Sequence, residues 1–165
     1  MASSSFNIND TFNIDNLFEN IKLSKSWHCK IGILSGSNNS RTDGKTNAEV
    51  GNYAEKMEMG DRSGKVPRRS FLVDPLTIWG RESIEIFLKQ NAANIMQGLL
   101  EEKGIKKLLN KLGFYAKKVI NDAFESSGFG NWQPLAKSTI KKKGNDKILV
   151  DTEQLKNAIE FRVEK

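Results

Sequence analysis

Apolar residues return at helical spacing in three stretches of this chain and alternate with polar ones in two. Over residues 47–59 the positions Val50, Tyr53, Ala54 and Met57 recur at i, i+3, i+4 and i+7, which predicts a helix, and Gly60 stands where a helix ordinarily ends. Over residues 81–102 Ile84, Phe87, Leu88, Ile95, Leu99 and Leu100 share a stripe, with Glu85, Lys89, Gln90 and Gln97 off it. After Gly104 a second stripe follows, made of Ile105, Leu108, Leu109, Leu112, Ala116, Val119, Ile120 and Ala123. These last two amphipathic helices are expected to supply most of the core. Alternation marks residues 27–34, where Trp27, Cys29, Ile31 and Ile33 interleave with His28, Lys30 and Gly32, and residues 159–164, where Ile159, Phe161 and Val163 interleave with Glu160, Arg162 and Glu164. Each reads as a strand with one buried face.

The intervening segments are loops by composition. Residues 35–46 are rich in Ser, Asn and Gly and carry the turn pair Asp43-Gly44, and residues 61–65 lead into Val66-Pro67-Arg68-Arg69-Ser70-Phe71-Leu72. Gly128 and Gly130 end the long helical pattern, residues 132–146 read as an irregular basic segment, and residues 152–158 as a short helical turn. Strand patterns flanking a helical pair predict an α+β domain over residues 26–165, in which a small mixed or antiparallel sheet, shared by the terminal strands, packs against two amphipathic helices. Residues 1–25 differ in kind. Phe6, Ile8, Phe12 and Ile14 follow no helical face, while Leu17, Phe18 and Ile21 fit one turn after the cap Asp15, so this segment reads as an arm that orders by docking on its own domain or on a neighbour. A length of 165 residues with 38% hydrophobic content allows one domain with a modest core.

Charge and chemistry narrow the function classes. The single cysteine, Cys29, makes no internal disulfide, which suits a reducing cytoplasm or a place where bridges are not needed. The polar first 25 residues do not read as a signal peptide, and no run of about 18 apolar residues predicts a membrane span. His28 and Cys29 are neighbours on a strand, so their side chains leave on opposite faces and cannot share a metal. No nucleophile elbow, phosphate-cradling glycine loop or zinc-protease motif occurs, and pairs such as Glu101-Glu102 fall on a predicted helix surface. No enzyme activity, metal or cofactor is expected. Lys and Arg number 26 against 20 Asp and Glu, and the excess gathers at Lys103, Lys106, Lys107, Lys111, Lys117 and Lys118, and at Lys137, Lys141, Lys142, Lys143 and Lys147. Such clusters suit a surface facing nucleic acid or an acidic protein, but a solvated helix face and a mobile loop account for them more simply.

Two segments combine residues that packing alone does not demand: residues 47–72, running from a helix through Gly60 to the Pro-Arg-Arg-Ser-Phe run, and residues 129–163. Together they resemble the virion-morphogenesis proteins of tailed bacteriophages, the tail-completion or head-tail joining components. The family pattern is a Glu-Phe-Gly element, an Ile-Pro-x-Arg-x-Phe element, then Trp-x-Pro-Leu-x-x-x-Thr-x-x-x-Lys-Gly and Leu-x-Asp-Thr-Gly-x-Leu-x-x-Ser-Ile. The matching residues are Glu58 and Gly60; Pro67, Arg69 and Phe71; Trp132, Pro134, Leu135, Thr139, Lys143 and Gly144; and Leu149, Asp151, Thr152, Leu155 and Ile159. Met59, Val66, Glu153 and Ala158 depart from the pattern. Where the family has Gly, Glu153 resists a left-handed backbone, so the turn there is expected to be helical.

The resemblance implies a small α+β subunit of a homo-oligomeric ring, a hexamer or dodecamer, at the neck or tail end of the virion, assembled in the host cytoplasm. Its neighbours would be a portal, adaptor or tail tube, with genomic DNA passing through the ring and non-specific DNA contact allowed; no membrane is involved. An acidic-polar loop near Glu55 to Asp61 and a basic one near Lys137 to Lys147 could pair head to tail in such a ring. Arg68, Arg69, Phe71, Trp132, Lys141, Lys142 and Lys143 are the candidates for subunit or DNA contacts, because aromatic and Arg side chains anchor interfaces. The alternative keeps Phe71 and Trp132 in the subunit's own core. A second function class remains beside the ring: a sequence-independent nucleic-acid binder using the Lys-rich helix and loop.

Overall fold

The computed structural model describes residues 22, 26–34, 50–100, 104–150 and 153–165, apart from the side chains of residues 98–100. The arm, except for Lys22, and the Asp43-Gly44 turn lie outside the described residues, as do Lys103, Glu101-Glu102, Asp151 and Thr152. The fold is α+β. Strand β1 (His28–Gly32) and strand β2 (Glu160–Glu164) form a two-stranded antiparallel sheet, so the two ends of the described chain meet as the alternation predicted. Cys29 stands opposite Val163 and Ile31 opposite Phe161 on the half-buried side, while Lys30 stands opposite Arg162 on the exposed side. A slip of one residue would drive Lys30 and Arg162 into the core, which specifies the register. Glu164 reinforces it by accepting from Lys30 and pairing with His28 at 3.2 Å.

Helix α1 (Val50–Met59) turns Val50, Ala54 and Glu58 inward. A single turn of wide helix over Pro75–Trp79 follows, then α2 (Arg81–Gln90), α3 (Ala92–Leu100) and the long α4 (Gly104–Glu125). Helix α4 lies across the sheet. Its buried face carries small residues, Gly113, Ala116 and Ala123, between Ile105, Val119, Ile120 and Phe124. The absence of a side chain at Gly113 is what lets Phe161 of β2 approach, since a β-carbon there would run into the Phe161 ring. Ile120 and Ile159 are fully excluded from solvent. Around them Phe71 packs on Phe124 with ring centroids 5.6 Å apart, and Phe124 meets Trp132 edge-on at 5.7 Å, an arrangement that adds attraction beyond buried area.

The structure corrects three expectations. Residues 81–102 do not form one core helix. Asn91, with φ −101 and ψ 9, leaves the helical backbone region and separates α2 from α3, and its side-chain amide donates to the Phe87 carbonyl at 2.9 Å. Ile84, Phe87, Asn91 and Ile95 are only half-buried, and no described side chain of α2 or α3 is buried. These helices pack on the Pro75–Trp79 turn and on α4 instead of the sheet, and the core is completed by α1, Phe71, Trp132 and residues 148–159. The basic segment is not wholly irregular: Lys137–Lys143 forms a short helix, α5, ended by Gly144 in the left-handed conformation. Its only inward apolar residue is the half-buried Ile140, so it leaves no stripe to read. Finally, Glu153 is left-handed, with φ 56 and ψ 4, and the short helix α6 (Gln154–Asn157) starts after it. Tertiary packing of Leu155 and Ile159 holds a backbone that the side chain disfavours. Among the described residues no helix is long and apolar enough to cross a membrane.

An L-residue with a β-carbon pays about 1–2 kcal/mol for the left-handed conformation, and glycine does not. Glu153→Gly is therefore expected to stabilise the fold by about 1 kcal/mol, read as a rise of about 2–4 °C in Tm. An unchanged or lower Tm would show that the Glu153 side chain contributes a compensating contact.

Candidate functional site

The two segments that carry the resemblance meet at the C-terminal end of α1. Glu58 sits on the buried stripe of that helix, four residues after Ala54 and eight after Val50, and only 7% of its surface is exposed. Its carboxylate accepts four hydrogen bonds: from Ser70 Oγ at 2.5 Å and from the backbone N–H groups of Phe71, Leu72 and Val73 at 2.9, 3.0 and 3.1 Å. Those N–H groups open the helical turn that leads into Pro75–Trp79, and they have no partner within it. A carboxylate placed there satisfies them and meets the positive end of the turn's dipole. Ser70 Oγ in turn accepts from the Asp74 N–H at 2.9 Å.

Chain reversal between α1 and this turn depends on Gly60. Its φ is +75, and a β-carbon there would stand 3.0 Å from the Arg68 nitrogen and 3.1 Å from the Val66 carbonyl. With no side chain in the way, Arg69 N–H reaches the Met57 carbonyl at 2.8 Å and Asp61 N–H reaches the Val66 carbonyl at 3.0 Å. The Pro-Arg-Arg-Ser-Phe run is thus laid back along the end of α1.

From that run the two arginines go separate ways. Arg68 points outward and grips Asp74 with both terminal nitrogens, at 2.6 and 2.7 Å. The hydrogen bond from Arg68 is the main reason the Asp74 carboxyl ionises below the usual aspartate range, since burial alone would push it up. Arg69 is buried and donates from Nε to the Gln133 carbonyl at 3.0 Å and from its amino group to the Pro134 carbonyl at 3.4 Å. Burial lowers its pKa from the ordinary arginine value. In the opposite direction Trp132 donates from Nε1 to the Ser70 carbonyl at 2.8 Å, joining residues 62 apart in the chain. No buried side-chain nitrogen or oxygen among the described residues is left without a partner.

Of the predicted contact residues, Arg69, Phe71 and Trp132 are therefore internal, with 7, 3 and 5% exposure. The expectation that they stand at a subunit or DNA contact is corrected: their polar atoms and rings are spent on joining residues 66–74 to residues 132–134. Arg68 is half exposed but engaged by Asp74. Lys141 and Lys142 are exposed at the last turn of α5, and the half-buried Lys143 donates to the Lys147 carbonyl. Cations at a helix C-terminus are favoured by the dipole, so part of this cluster has a local structural cause. In the sequence Glu58 stands as a motif residue whose role is not legible. The available signal was a carboxylate on the apolar stripe of a helix, two residues before a glycine.

Beside this junction lies an open cleft of about 460 Å³ between α1 and α5, lined by Tyr53, Met57, Val66, Pro67 and Leu135 together with Lys65, Arg69, Lys142 and Lys143. Among the described residues no acidic side chain lines it. Among the described residues no group of three or more His, Cys, Asp or Glu could hold a metal ion. His28 is exposed and engaged with Glu164, and burial raises the Cys29 thiol pKa, which makes it less reactive. Compared with protein-family models, curated proteins and solved structures, the chain finds no match in any of the three.

Two outcomes follow for the junction. Glu58→Gln replaces an acceptor by an amide donor facing N–H groups, and should cost about 2–4 kcal/mol, seen as a lower urea midpoint at unchanged m-value. A midpoint within error of the parent would remove Glu58 from its central role. For Asp74 the folded-state pKa is depressed, so its contribution is fully present above the ordinary aspartate range and is lost as pH falls through the lowered value. Arg68→Leu should cost roughly 1–2 kcal/mol at neutral pH, Arg68 being half solvated, and should flatten stability against pH in that acid window. Parallel acid-unfolding curves for the two proteins would contradict this.

Proposed function

We propose that this chain is a structural subunit of a tailed-bacteriophage particle, repeated in a homo-oligomeric ring at the neck or tail end through which DNA passes. One observation carries the reading. The residues that make up the resemblance, Glu58, Gly60, Arg69, Phe71 and Trp132, are also the ones that interlock two distant segments around a buried carboxylate. Generic packing of an α+β domain does not call for that combination, so the pattern has a common physical basis in the fold. The left-handed Glu153 adds to it, standing where the family pattern has glycine.

Assembly into a ring is supported by what the subunit leaves uncovered. Ile78, Ile86 and Met96 on the outer turns and helices are 63, 45 and 51% exposed, and Phe114 of α4 is 67% exposed. Apolar side chains this exposed on helices suit a surface that neighbours complete. A second reading is favoured by a different observation. Lys107, Lys111 and Lys118 are exposed along one stripe of α4, a suitable track for a phosphate backbone in a sequence-independent DNA binder.

The mass of the purified protein in solution separates the two. A ring subunit gives a hexamer or dodecamer by light scattering and closed rings by electron microscopy. A monomer at every concentration, binding duplex DNA with an affinity that falls steeply with salt, would replace this reading by the second. Changing Lys141, Lys142 and Lys143 together to Ser should leave stability within about 0.5 kcal/mol of the parent while lowering incorporation into particles. Incorporation at the parental level would make that cluster a solvated helix end only.

A further inference from the structure

We infer that the cleft between α1 and α5 receives the N-terminal segment, residues 1–21, of a neighbouring copy of this chain. The inference rests on the ring reading and names the contact that links one subunit to the next. Its first support is charge. Among the described residues the cleft's rim carries the exposed Lys65 and Lys142 and its lining no acidic residue, whereas residues 1–21 carry Asp10, Asp15 and Glu19 and no Lys or Arg. Its second support is apolar surface. Met57, Pro67 and Leu135 line the same cleft, and the segment intersperses Phe12, Leu17 and Phe18 with its acids. An occupant with both properties fits better than a nucleic acid, which offers charge but no aliphatic or phenyl side chains for the lining.

Reach is the third support. Residues 1–21 lie outside the described residues and precede β1. A chain of that length spans at most about 70 Å when extended, against a radius of gyration of about 15 Å for a domain of this size. The segment can therefore cross from its own subunit to the next. The cleft is open to solvent and Lys65 and Lys142 are exposed, so entry needs no rearrangement of the junction around Glu58. Contact between an acidic, partly apolar segment and a basic rim is strongest at low ionic strength and favours one direction of assembly, because like charges oppose other pairings.

The test uses the full chain with the photoreactive residue p-benzoylphenylalanine in place of Phe12, mixed in equal amounts as isotopically light and heavy copies. After irradiation, mass spectrometry should join position 12 to residues 65–69 or 133–143, with about half of the joined pairs of mixed isotope. Reversing the rim with Lys65→Glu and Lys142→Glu should lower the yield at least tenfold, and Asp10→Lys, Asp15→Lys and Glu19→Lys in the donor copy should restore it. Crosslinks to another surface, crosslinks confined to a single copy, or a yield indifferent to charge reversal would each overturn the inference. So would loss of duplex-DNA binding on rim reversal with the crosslink unchanged, which would give the cleft to nucleic acid. Light scattering on the same samples keeps the two readings apart. An assembled ring crosslinked elsewhere overturns only the place of the segment, and a monomer overturns the ring.

Discussion

A single buried carboxylate holds the architecture together. Glu58 takes four hydrogen bonds from residues 70–73 at the far end of a loop that begins two residues after it. Because these donors would otherwise be orphaned at the opening of a helical turn, the carboxylate and the turn need each other. That mutual need sets where residues 66–74 run. Once that path is set, Phe71 falls into the core, Arg69 faces the carbonyls of residues 133 and 134, and the Ser70 carbonyl faces the Trp132 indole. Hydrogen bonds to an ionised acceptor are roughly twice as strong as neutral ones, which is why one side chain can organise a segment this long.

The junction also divides the molecule into an inner and an outer part. Inside it, aromatic rings and the small-residue face of α4 make a core in which polar groups are satisfied. Outside it, α2 and α3 contribute amphipathic surface without burying a described side chain, and α5 presents lysines beside a cleft with apolar lining. A chain built this way satisfies its polar groups inside and leaves apolar and basic surface exposed. That is the division of labour expected of a piece in a larger assembly, and it underlies both the proposed ring and the proposed seat for the N-terminal segment.

Legibility from sequence followed the range of the interactions. Strand alternation at residues 28–32 and 160–164 was readable because burial of one face of a pleated strand depends on neighbours two residues apart. The helix over Val50–Met59, its stop at Gly60 and the long helix α4 were readable for the same local reason. The break at Asn91 was not, since asparagine is tolerated within helices and only the backbone dihedrals it takes in the fold, φ −101 and ψ 9, part α2 from α3. Nor was the left-handed Glu153, where local preference points one way and packing the other.

For the candidate site, residue types by themselves showed that basic charge clusters near residue 141 and that a carboxylate, Glu58, lies on the apolar stripe of α1 two residues before Gly60. Tertiary structure alone decided what those residues do. Arginine and tryptophan are equally suited to anchoring a partner or to tying a subunit together, and their chemistry does not choose. The choice is made by which carbonyls lie within reach. Arg69 and Trp132 find theirs on the other segment of their own chain, at distances no sequence spacing encodes, so they are spent on the fold while Lys142 and the cleft beside it remain open.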